Sequence, residues 1–131
     1  MSEENLEIVR GMYEAFYRFD VDGTLAYYDP EVVIDASRVV DGELGRGHEG
    51  VYRFIAGWVG TFDEWREEME EMRDLGTQVY VVARQFGRGR VSGVEVEQRY
   101  AVLHEIQGDK ITRVTIYREP AEALEAAGLR E

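Results

Sequence analysis

Apolar side chains recur along this chain at two different spacings, and the change of spacing divides it into halves. In the first half the period is helical. Leu6, Val9, Tyr13 and Phe16 fall three or four positions apart, as the buried face of a helix requires, and Ile8, Met12 and Phe19 widen that face. Ser2 stands where it can cap this helix, and Glu3 and Glu4 in its first turn favour the positive end of the dipole. Asp20-Val21-Asp22-Gly23 breaks it. Asp20 or Asp22 can cap a short second helix through Tyr28, which Asp29-Pro30 stops. Val32-Val33-Ile34 reads as a short buried strand ending at Asp35, and residues 36–47 read as loop, with backbone freedom at Gly42, Gly45 and Gly47. Val51, Phe54, Ile55, Trp58, Val59 and Phe62 then form the stripe of a third helix. Gly50, Gly57 and Gly60 weaken its intrinsic propensity, so packing must hold it, and close approach to a neighbour is one use for them.

In the second half the period falls to two. Residues 79–88 and 94–106 are rich in β-branched and aromatic side chains and flank a Gly/Arg turn. In the longer run the even positions carry Val94, Val96, Gln98, Tyr100, Val102, His104 and Ile106, and the odd ones carry Glu95, Glu97, Arg99 and Glu105. The alternation buries the even face and exposes the odd one. Gln107-Gly108-Asp109 turns the chain into a last strand, 110–117, after which Pro120 opens a terminal helix and Gly128 closes it. The stretch 63–74 is ambiguous: Trp65, Met69 and Met72 match helical spacing, and taken alone it reads as helix. Helices followed by a meander of long antiparallel strands make an α+β chain, in which a curved sheet wraps around the helices. Without repeats or linkers, residues 1–131 form a single domain.

Composition narrows the function classes. With 27 acidic against 15 basic residues the net charge is −12, so phosphate backbones and anionic membrane surfaces are repelled and nucleic acid is excluded as a partner. No apolar run approaches the roughly 20 residues of a membrane span, and the acidic start lacks a signal core, so a cytoplasmic protein is expected. The absence of cysteine removes disulfides, thiol catalysis and cysteine metal sites. His48 and His104 lie too far apart in sequence to form a metal-site motif, and Gly87-Arg88-Gly89-Arg90 is a hairpin tip, not a phosphate cradle. Chemistry without a cofactor or metal is therefore expected.

Several residues could carry that chemistry. Asp35 ends an apolar strand, where desolvation could raise a carboxyl and suit it to proton transfer; the alternative is a loop-starting aspartate that caps the amides of residues 36–38. His104, Tyr100 and Gln98 share the inward face of the long strand, so His104 is a candidate acid/base or a hydrogen-bonded core residue. Tyr13, Tyr17, Phe16, Phe54 and Trp58 could line an aromatic cavity or simply pack the core. Arg84 shares its parity with Tyr80, Val82 and Phe86; turned inward it would bind Asp35 or a ligand, but Val79, Val81 and Ala83 could equally be the inward set. The runs Glu67-Glu68 and Glu70-Glu71 read as a solvated face.

Four segments together resemble the nuclear-transport-factor-2-like superfamily, and its SnoaL-like group in particular. They are Asn5-Leu6-Glu7-Ile8-Val9, Asp29-Pro30-Glu31-Val32-Val33, Gly45-Arg46-Gly47-His48-Glu49-Gly50-Val51, and Gly108-Asp109-Lys110-Ile111 running on to Tyr117-Arg118-Glu119. No one of them is diagnostic; their order and spacing are. The resemblance implies a cone-shaped, cystatin-like half-barrel with a hydrophobic pocket at its open end, and a homodimer, for which Ala101 and Leu103 on the outer face would supply apolar contact. It also reassigns 63–74 as a strand. It places Asp35 where related isomerases carry their base. The isomerases' tyrosine falls near Met12 and Tyr13, but their second acid falls near Val102 or Leu103, and the epoxide hydrolases' last-strand acid falls near Ile116. Neither mechanism is therefore complete here. What the resemblance leaves is a pocket for a small apolar, carbonyl-bearing molecule, worked on by an isomerase or cyclase with a carboxylate base, or a non-catalytic binding or scaffold domain.

Overall fold

The periodicity of the first segment closes into helix α1 (Ser2–Tyr17), which buries Val9, Met12 and Tyr13. The computed structural model describes residues 2–39 and 42–128, and the side chain of Ser2, the expected cap, lies outside the described set. Asp20 caps the short α2 (Val21–Leu25) by accepting from the Gly23 amide at 2.9 Å. Strand β1 (Tyr28–Asp35) begins earlier than its apolar core suggests and contains Pro30. It pairs with the last strand at Tyr28 and again from Val33, with the register shifted between, where proline offers no amide to a ladder. A three-residue strand, β2 (Leu44–Arg46), occupies part of the expected loop and leads into α3 (Gly47–Gly60). Gly50 does serve a close approach: a Cβ there would lie 2.9 Å from the Gly45 carbonyl carbon, so strand and helix touch backbone to backbone.

Strands β3 (Phe62–Asp74), β4 (Gln78–Gly89), β5 (Glu95–Gln107) and β6 (Lys110–Tyr117) then form the meander, and α4 (Pro120–Ala126) ends the described chain. Residues 63–74 are thus strand, as the resemblance implied, and not helix. The sheet order is β2-β1-β6-β5-β4-β3, antiparallel throughout except for the β1–β6 pair. The sheet is curved and unclosed, with α1, α2 and α3 on its inner side.

Two cores share this sheet. On the inner side Val79, Val81, Ala83, Tyr100, Val102, Ile111, Val114 and Ile116 pack against Val9, Met12, Tyr13 and Val51 of the helices. On the outer side Tyr80, Val82, Ala101, Leu103 and Tyr117 pack beneath Ala123 and Leu124 of α4. The expectation that the odd face of β5 is exposed therefore holds for Glu95, Glu97 and Arg99 but fails for Ala101 and Leu103, which are 0% and 3% exposed. Those two residues are covered by the chain's own helix, so they offer no apolar surface to a second copy.

Candidate functional site

Inward parity decides which polar groups reach the helix-covered side. On β4 the inward set is Val79, Val81, Ala83 and Gln85; on β5, paired across, it is Gln98, Tyr100, Val102 and His104. On β3 it is Trp65, Glu67 and Met69, with Glu67 directly opposite Gln85. This puts Glu67, Tyr100 and His104 on one wall, and α1 sets Tyr13 and Tyr17 against it.

Glu67 is the centre of that wall. Its Oε1 accepts from the Tyr100 hydroxyl and its Oε2 from the Tyr17 hydroxyl, each at 2.8 Å. Burial pushes its pKa above the usual carboxylate range, and the two phenol hydrogen bonds only partly offset this. Conversely, burial and the neighbouring Glu67 charge push the hydroxyls of Tyr17, Tyr100 and Tyr13 up, so all three remain protonated donors. Tyr13 meets His104 Nε2 at 3.0 Å, with the two rings edge to face. Burial lowers the His104 pKa to about 3, so the imidazole is neutral at physiological pH.

The aromatic residues close around this cluster. Trp58 of α3 stands edge-on to Tyr100 with centroids 5.3 Å apart, and Phe54 lies beside it at 5.2 Å. Tyr13, Tyr100, His104, Phe16, Ile55 and Trp58 are among the side chains lining an inner cavity of about 50 Å³. Toward the sheet's rim the polar wall continues: Trp65 Nε1 donates to the buried Gln85 at 2.9 Å, and Gln85 donates to Gln98 at 3.0 Å.

Of the residues singled out from sequence, Tyr13, Tyr17, Trp58, Tyr100 and His104 come together here. Gln98 faces the same side but is exposed, so it is not the buried amide expected. Two expectations of placement are corrected. Asp35 does not project into the hollow. It has the opposite parity to Ile34, which lines the cavity, and shares the outer face with its ladder neighbour Thr115. There it accepts from the Ser37 amide and hydroxyl at 3.0 and 2.6 Å, and from Arg38 and Arg113 at 3.2 and 3.4 Å. The Ser37 hydrogen bonds, aided by Arg38, hold its carboxyl below the ordinary range, which leaves a poor base. Arg84 also faces outward, since Val79, Val81 and Ala83 take the inner side; it pairs with Glu70 and Glu97 at 2.8 and 2.9 Å. Glu67 was missed because the acidic run Glu67-Glu68 reads as a solvated face whichever state the segment takes. Once that segment is a strand, a carboxylate at period two between Trp65 and Met69 is the signal that marks it.

A curved, unclosed sheet packed around helices defines an α+β half-barrel class, and comparison with known proteins places the chain within it. Residues 9–114 match the SnoaL-like domain, and the chain belongs to that family. An NTF2-like protein of unknown function from Burkholderia pseudomallei is similar in structure, with a TM-score of 0.77 and 24% identity over 93% of this chain and 95% of that one. A cystatin-fold protein from Novosphingobium aromaticivorans has a TM-score of 0.73 and 23% identity over 90% and 99% of the two chains. A protein with a ketosteroid isomerase-like fold from Catenulispora acidiphila, in complex with trimethylamine, has a TM-score of 0.73 and 17% identity over 94% and 93%. No curated protein matches the chain.

Proposed function

We propose that this protein binds a small apolar, carbonyl-bearing molecule in the hollow beneath α1 and α3 and moves a proton on it without a cofactor, with Glu67 as the base. The observation that carries the proposal is a carboxyl with a raised pKa on the helix-covered face, held at both oxygens by phenols. Such a group accepts a proton from carbon beside a carbonyl more readily than an ordinary solvated carboxylate does, and can return it to a neighbouring atom. Tyr17 and Tyr100 hold its orientation, and both hydroxyls stay neutral donors through the cycle. Isomerisation and ring-closing condensation both use this step.

A second reading, ligand binding without turnover, is favoured by one fact: Glu67 is not among the described side chains that line the inner cavity, so a ligand held there need not meet it. One experiment separates the two. Benzylacetone is incubated with the protein in D2O, and loss of its α-proton signals is followed by NMR. The proposal expects exchange well above the buffer rate, a drop of about 100-fold or more in Glu67→Gln, and no change in Asp35→Asn. Bound ketone that exchanges only at the buffer rate would establish the binding reading, and an unchanged rate in Glu67→Gln would remove Glu67 as the base.

A further inference from the structure

His104 is 1% exposed, and its Nδ1 is a fully buried side-chain nitrogen with no hydrogen-bond partner among the described residues. Its protonation state follows from its neighbour. Tyr13 is buried, and its hydroxyl has one hydrogen-bond partner among the described residues, His104 Nε2. Both oxygens of Glu67 already accept from other phenols. A buried hydroxyl donates where it can, so Tyr13 gives its proton to Nε2. A neutral imidazole then carries its own hydrogen on Nδ1, in a ring that lines the inner cavity. Leaving such a donor unmatched is costly, so an acceptor at this point is strongly favoured.

The inner cavity is too small to hold more than the end of a molecule, but it is not isolated. Phe16 and Ile55 line it and also line a cleft of about 240 Å³ between the end of α1, α2 and α3. That cleft is walled by Phe19, Val21, Leu25, Tyr52 and Val59, with Thr24 and the helix-capping Asp20 as the polar side chains. A second flanking cleft, beside β2, includes Glu43 and Arg53 and suits an apolar group less well.

We infer that the inner cavity and the α1–α2–α3 cleft are two halves of one site, which takes an uncharged molecule with a single acceptor oxygen at one end and an apolar tail. The oxygen accepts from His104 Nδ1–H, the tail lies in the cleft, and Phe16 and Ile55 part around the join. His104 is then the group that recognises the polar end, in a neutral state that does not change with physiological pH. This deepens the pocket reading above and rests on it for where the ligand sits, though not for any proton transfer by Glu67.

The test is a binding measurement on the whole chain labelled with 15N-histidine, whose two imidazoles, His48 and His104, give two ring systems. Benzylacetone and butylbenzene share a phenyl tail and differ in the carbonyl. The inference expects benzylacetone to move the His104 Nδ1–H resonance and to bind at least tenfold more tightly than butylbenzene. It expects His104→Phe to abolish that difference and Ile55→Trp to weaken both ligands. If His104→Phe does not fold, the contrast between the two ligands on the native chain decides. Equal affinities, an unmoved Nδ1–H at saturation, binding of neither compound, or undiminished binding in a folded Ile55→Trp would each overturn it. Proton exchange is not read here, so ketone that binds at His104 without exchanging upholds this site while refuting Glu67 as a base.

Discussion

A buried histidine and a half-buried carboxyl pull the pH dependence of stability in opposite directions. His104 takes a proton near 6.5 in the unfolded chain and near about 3 in the folded one. Between those values the unfolded state holds the extra proton. The contribution of His104 is thus complete above 6.5 and is lost as pH falls toward 3, by about 1.4 kcal/mol per pH unit. Glu67 has its folded pKa raised above 4.5, so the folded state holds the extra proton. Its contribution is complete below 4.5 and is lost as pH rises through the folded value. Above 4.5 the two effects oppose each other wherever their windows overlap. Glu67→Gln removes one of them, so urea unfolding of that variant gains a slope of about 1.4 kcal/mol per pH unit in the overlap, relative to the native chain. Parallel profiles for the two proteins would mean that Glu67 titrates as an ordinary solvated carboxyl. At this scale the sequence misled in an instructive way. Asp35 ends an apolar strand and draws attention, but its parity turns it outward to two arginines, and a single strand does not reveal its own parity. His104 and Tyr100 were legible because the alternation from Val94 to Arg99 carries their parity forward, although Ala101 and Leu103 interrupt it.

Why a strand passes for a helix is a matter of bulges. In β3 the register against β4 slips between Asp63 and Arg66 and again between Met69 and Glu71. Met69 lies opposite Ala83 and Met72 opposite Val81, both inward positions of β4, so the extra residue sets two inward methionines three apart. Trp65, Met69 and Met72 then carry spacings of four and three, which is the helical signature. Glu64, at φ 57°, lies within the first slip. The period of two survives only over Trp65, Glu67 and Met69, too short a run to overrule the rest. Helix α4 posed the opposite problem: its position was plain from Pro120 and Gly128, but nothing local tells which face it covers. It covers Leu103 and Ala101 through Leu124, which is 5% exposed. Leu124→Ala should therefore cost about 2–4 kcal/mol in urea unfolding. Because this core lies across the sheet from Glu67, ketone binding should be unchanged. A loss of binding together with stability would show that the two faces are coupled through the sheet.

At the scale of the molecule, the order of elements carried nearly the whole architecture, since helices followed by a meander leave few ways to bury both. What the order could not supply is the choice of inward residues, which depends on how six strands register against one another. That choice turns Asp35 and Arg84 to the outer face and sets Glu67 on the helix-covered one. With 27 acidic residues in the chain, one carboxyl set apart from the others is the feature on which the functional account stands. The direct measurement is a 13C titration of the glutamate side-chain carboxyls in the native protein, with Glu67→Gln identifying the resonance. The account predicts that the Glu67 signal titrates above the ordinary glutamate value, shifted upward by its burial between Tyr17 and Tyr100. A Glu67 carboxyl that titrates at the ordinary value near 4.5 would contradict it.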